Sequence, residues 1–113
     1  MTEPAHFRDL LSGLRSRAAE RVDRLEAELD NLARARRDGS DDEHDPEGVP
    51  LSAEWSRLVG LLQAAQSEAA EVDIALLRLE AGTYGTCSQC GKAIPVARLE
   101  ARPFADRCVP CAS

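Results

Sequence analysis

Four cysteines in two C-x2-C pairs, Cys87 with Cys90 and Cys108 with Cys111, constrain this chain more than any other feature. Seventeen residues separate the pairs, a spacing typical of zinc sites. Two cysteines set two residues apart turn both sulfurs toward one ion, and Zn2+ prefers four such ligands in a tetrahedron. With every coordination position taken by sulfur, no place is left for water or substrate. The pattern therefore points to one structural Zn2+ held by Cys87, Cys90, Cys108 and Cys111. Gly91, directly after the first pair, permits the tight turn that aims backbone N–H groups at thiolate sulfur. The metallated cluster is a formal dianion, which Lys92, Arg98, Arg102 and Arg107 offset against Glu100 and Asp106. A thiol–disulfide couple would need one pair in a thioredoxin-like setting, and the sequence has none.

The rest of the chain has too little material for a large independent core. Of 113 residues only 4% are aromatic, whereas 43% are hydrophobic and 30% charged. That balance suits long amphipathic helices packed with Leu and Ala. The apolar positions Phe7, Leu11, Leu14, Ala18, Val22, Leu25, Leu29 and Leu32 step mostly by three and four. The pattern returns without a break at Leu51, Trp55, Leu58, Leu62, Ala65, Ala69, Val72, Leu76 and Leu79. This alternation marks a coiled-coil seam. Neither stretch contains an internal proline, and the single interior glycine of each, Gly13 and Gly60, costs about 1 kcal/mol relative to Ala. Gly82 is placed to end the second helix in a left-handed cap.

Between the helices runs RRDGSDDEHDPEGVP, where Gly39, Pro46, Gly48 and Pro50 break helix. Residues 38–47 hold six acids and no base, so much of the net charge of −6 is concentrated there. Two matched heptad runs around a breaker-rich loop predict an antiparallel hairpin; an intermolecular bundle is the competing arrangement. The expected fold is mainly α: a long two-helix coiled-coil hairpin over residues 1–82, with an acidic tip loop at about 38–50. A small four-cysteine zinc-finger module follows over residues 83–113. The N-terminus MTEPAHFRDLL lacks a basic region followed by an apolar stretch, and no apolar run approaches the ~20 residues of a membrane span. A cytoplasmic protein with no membrane association is expected, and in that reducing compartment metal is favoured over disulfides.

The stretches AGTYGTCSQCG and IPVARLEARPFADRCVPC resemble the C-terminal zinc finger of the DksA/TraR family, with Ile94, Arg98, Leu99, Glu100, Ala101, Arg102, Pro103 and Cys108 in the family's register. The preceding hairpin fits as well. The resemblance implies a bacterial regulator that binds RNA polymerase directly, without sequence-specific DNA recognition. In that family the hairpin enters the secondary channel of the polymerase and its acidic tip approaches the active centre. Asp42 and Asp45 supply the D-x-x-D of the family's tip motif, although Glu47 stands where the family has Ala; Asp38 and Asp41 offer a second register. The family's site for the alarmone ppGpp uses basic residues. Arg102 matches one, whereas Glu71 and Ala112 fall where the others belong, so ppGpp binding is not expected here.

Other functions fit less well. No nucleophile is paired with a histidine and no phosphate loop is present, so the chain reads as a non-enzyme. A zinc module near neutrality with few aromatics is poorly equipped to bind nucleic acid. The alternative from another class is a zinc-stapled coiled-coil adaptor for some other protein, with no role at polymerase. On general grounds the tip acids form a solvated loop, and His44 is an exposed histidine among carboxylates. Trp55 reads as a seam residue, Tyr84 as packing between helix and zinc module, and Arg98 and Arg102 as supporting positive charge near the thiolates.

Overall fold

The computed structural model describes residues 4–38 and 51–112. Two long helices, α1 (Pro4–Asp38) and α2 (Leu51–Ala81), are followed by the short helices α3 (Val96–Ala101) and α4 (Val109–Ala112). The described residues contain no strand, only an isolated antiparallel bridge between Thr86 and Ala93. Both long helices continue through their interior glycines, Gly13 and Gly60.

The chain forms two compact units, one from Met1–Ser16 with Ala69–Ser113 and the other from Arg17–Glu68. In the second unit, Leu25 and Leu29 of α1 pack with Leu58 and Ala65 of α2. Val22, Leu32, Trp55, Val59 and Leu62 close over this core while half-buried. Arg21 pairs with Glu68 and the Arg57 side chain feels the charge of Glu28, so the two helices run antiparallel. This is the expected seam: residues spaced three and four apart face inward, and the charged side chains remain in water.

In the first unit the start of α1 meets the end of α2. Phe7 and Leu11 pack with Val72, Ala75, Leu79, Tyr84, Cys87, Ile94 and Leu99 in one buried core. The Phe7 and Tyr84 rings lie 5.4 Å apart at 46°. Every seam residue within the described helices is buried or half-buried. Ala75 and Leu10 join them from off the seam, since the C-terminal segment adds a third packing element beside the helix pair.

Helix α2 stops where the sequence placed its stop. Gly82 has φ +80°, a left-handed conformation that costs a residue without Cβ little. Its N–H donates to Leu79 O at 3.2 Å and that of Thr83 to Arg78 O at 2.9 Å, the two bonds of a Schellman cap. The chain then turns directly into the cysteine-bearing segment.

Candidate metal centre

The first cysteine pair sits on a turn that the backbone locks from both sides. Cys87 N donates to Lys92 O at 2.8 Å, Gly91 N to Cys87 O at 3.0 Å, and Ile94 N to Gly85 O at 2.7 Å. Gly91 takes φ +76°, as its position after the pair led one to expect. The turn brings Cys90 N to 3.4 Å from Cys87 Sγ, an N–H aimed at sulfur. In the second pair Cys108 directly precedes α4 and Cys111 lies on it, and Cys111 N and Ala112 N donate to Cys108 O at 3.1 and 2.9 Å. Ser88 N donates to Asp106 O at 2.8 Å and ties the two turns together.

Leu99 and Ile94 anchor this segment to the core below it. α3 begins after Pro95, whose carbonyl accepts from Arg98 N and Leu99 N, and its apolar face sends Leu99 inward. Tyr84 closes the other side by donating from its hydroxyl to Pro103 O at 3.0 Å. Burial raises the pKa of that hydroxyl above its ordinary value, so it stays a donor well into the alkaline range.

The result is a cluster of four sulfurs, all within 4.8 Å of one another. Cys90 Sγ and Cys108 Sγ approach to 3.7 Å, and none of the four is in a disulfide. Cys87 is buried, Cys90 exposed, and Cys108 and Cys111 lie between. Crowded thiols cannot all ionise by themselves. Backbone hydrogen bonding at Cys108, then at Cys90, holds the Cys87 thiol down at about 5. Hydrogen bonding with the side chains of Cys108 and Cys87 pushes the Cys111 thiol up to about 12. The opposite directions are those expected of a coupled cluster in which several sulfurs share too little positive charge. A dication supplies that charge. The donor set fits a structural Zn2+, with four sulfurs converging and no other ligand type among them.

The supporting basic residues differ in what they do. Arg98 Nε donates to Arg107 O at 3.0 Å, within the second turn. Arg102 instead lines a concavity of about 550 Å3, together with Arg98, Arg107, Glu71, Asp106 and Ala112. Glu71, Arg102 and Ala112, far apart in sequence, thus share one surface depression. Arg78 was not anticipated from the sequence. Its Nη2 donates to Thr83 O at 3.1 Å and to Thr86 O at 2.7 Å, bonds that exist only because the chain folds back after Gly82. Asp42 and Asp45 lie outside the described residues, as does His44.

The chain is similar to known proteins in both sequence and structure. Residues 82–113 match the prokaryotic dksA/traR C4-type zinc finger. The chain is 30% identical over 110 residues to the RNA polymerase-binding transcription factor DksA of Escherichia coli, covering 95% of this chain and 67% of that protein. A protein of Aquifex aeolicus is 50% identical over 42 residues, which span 37% of this chain and 29% of the relative. The structure of transcription factor DksA2 from Pseudomonas aeruginosa superposes with a TM-score of 0.84 at 30% identity, covering 96% of this chain and 79% of that one.

Proposed function

The chain belongs to the DksA/TraR family, and from that premise we propose that it is an accessory transcription regulator that binds bacterial RNA polymerase. The observation that carries this reading is the likeness along 110 residues to a relative named for binding that enzyme. The helix hairpin of residues 1–82 enters the secondary channel, and the tip loop at about 38–50 approaches the active centre. Asp42 and Asp45 are the effector groups of the tip.

Residues 83–113 form the metal module, with Cys87, Cys90, Cys108 and Cys111 as the zinc ligands. When bound, the ion supplies cross-linking and charge compensation and offers no reactive position. Arg98 and Arg102 contribute positive charge around the thiolates. The hydrogen bonds around the two turns hold the sulfurs in a common direction, and the Leu99 and Ile94 anchors fix them to the end of the helix pair.

The protein acts without catalysis and without sequence-specific DNA recognition, in the cytoplasm. None of its described helices is long and apolar enough to cross a membrane. Arg102 shares its concavity with Glu71 and Ala112, which stand where the family's ppGpp site has basic residues. ppGpp binding is accordingly not expected of this chain.

The test is transcription with purified polymerase and zinc-loaded protein. Asp42→Asn combined with Asp45→Asn retains polymerase binding and loses the transcriptional effect. A doubly substituted protein that regulates like the wild type would refute the tip mechanism, and absence of binding by the wild type would refute the polymerase reading as a whole.

A further inference from the structure

The two cysteine pairs share a feature that lies outside the sulfur cluster. In each, the carbonyl just before the leading cysteine accepts a hydrogen bond from an arginine. Arg78 Nη2 donates to Thr86 O at 2.7 Å, and Thr86 precedes Cys87. Arg98 Nε donates to Arg107 O at 3.0 Å, and Arg107 precedes Cys108. The pairs correspond in the next bond as well: Gly91 N donates to Cys87 O at 3.0 Å and Ala112 N to Cys108 O at 2.9 Å. Yet the arginines come from different elements, one on α2 and one on α3. The match is therefore one of position around the leading cysteine, reached from two directions.

We infer that Arg78 and Arg98 are positioning residues for zinc, each fixing the peptide plane that leads into the first cysteine of its pair. The peptide unit is rigid, so pinning its carbonyl also orients the N–H of the following cysteine. For Cys87 that N–H is itself engaged with Lys92 O at 2.8 Å, which leaves the main chain on the N-terminal side of the sulfur held at both ends of the peptide. A hydrogen bond from guanidinium is charge-assisted and stronger than one between neutral groups. Arg78 also donates to Thr83 O at 3.1 Å, so one side chain spans the cap of α2 and the entry to the first turn. Lysine has the charge but lacks the planar set of donors that holds a carbonyl in one geometry. Groups in the shell outside a metal's ligands commonly change metal affinity by ten- to a hundredfold when removed. The inference rests on the reading of the four cysteines as zinc ligands, and it says what orients two of them.

The test is the rate at which the zinc-loaded full chain transfers its metal to an excess of chromophoric chelator, with helicity followed in parallel by circular dichroism. Arg78→Ala and Arg98→Ala are each expected to release zinc about tenfold faster than wild type. Arg78→Lys and Arg98→Lys keep the charge and the solubility of the loaded protein, and should recover only a small part of that loss. Arg107→Ala removes an equal charge beside Cys108 and leaves the carbonyl in place, so it should change the rate less than about twofold. Alanine variants that release zinc at the wild-type rate overturn the proposal. So do lysine variants that fully restore it, because charge alone would then account for the effect. A wild-type chain that takes up no zinc overturns the ligand assignment itself, and the positioning role with it.

Discussion

The same two helices are stabilised in different ways in the two units of the molecule. In the unit of Arg17–Glu68 the helices meet through a narrow seam, with Leu25, Leu29, Leu58 and Ala65 buried and their partners half-exposed. In the other unit, Phe7, Leu11, Val72, Ile94 and Leu99 are almost wholly buried, and loops, caps and sulfur are tied together by hydrogen bonds. The first is a repeating pattern that tolerates small losses locally. The second combines the larger buried core with a cysteine segment whose four sulfurs fit a structural metal, and metal binding in such segments is coupled to folding. The difference predicts that perturbations of equal chemical size will act unequally in the two places.

Zinc removal should separate them most. Binding of structural zinc to small cysteine modules is worth on the order of 10 kcal/mol, and that free energy is folding free energy. Treatment with a strong chelator, or Cys108→Ser, should abolish amide protection over residues 83–112 while residues 17–38 and 51–68 stay protected in hydrogen exchange. Equal loss of protection in both units would remove the distinction. The ligands must also shed protons to bind metal. With the Cys111 thiol pushed up to about 12, zinc uptake at neutral pH should release protons into a weakly buffered dye solution. Affinity should accordingly fall as the pH is lowered, since protons then compete for sulfur.

Next come the cores. Leu99 is fully buried and Leu58 nearly so, so Leu99→Ala and Leu58→Ala should each cost about 2–5 kcal/mol in denaturant unfolding of the zinc-loaded protein. Only Leu99→Ala should also speed zinc release, because only Leu99 supports the cysteine segment. Tyr84→Phe removes the bond to Pro103 O and should cost about 1 kcal/mol.

The smallest effect belongs to the surface. Arg15 pairs with Asp73 through side chains that are 57% and 48% exposed, so breaking the pair should cost less than about 1 kcal/mol and less still in high salt.

Much of this was legible in the sequence, for reasons that differ from element to element. The seam was visible because a helix repeats its inward face every three or four residues, and Gly82 because helices commonly end in a left-handed conformation that glycine adopts most easily. The cysteine spacing carried the metal because the donor chemistry leaves few alternatives. Ala75 and Leu10 could not be placed, since their burial comes from a third element packing beside the helices. Arg98 was read as a compensating charge, and the structure gives it a carbonyl to hold. Arg78 carried no signal at all: nothing in its neighbourhood on α2 reveals that Thr83 and Thr86 will return to it. The tip with Asp42 and Asp45 lies outside the described residues, so its reading stands on the family alone.

The most direct test of the account is crosslinking of the zinc-loaded protein, carrying a photoreactive group in place of Glu43, to purified bacterial RNA polymerase core enzyme. The account predicts a crosslink to the lining of the secondary channel near the catalytic magnesium. Binding with the crosslink elsewhere on the enzyme, or no binding at micromolar concentration, would contradict it.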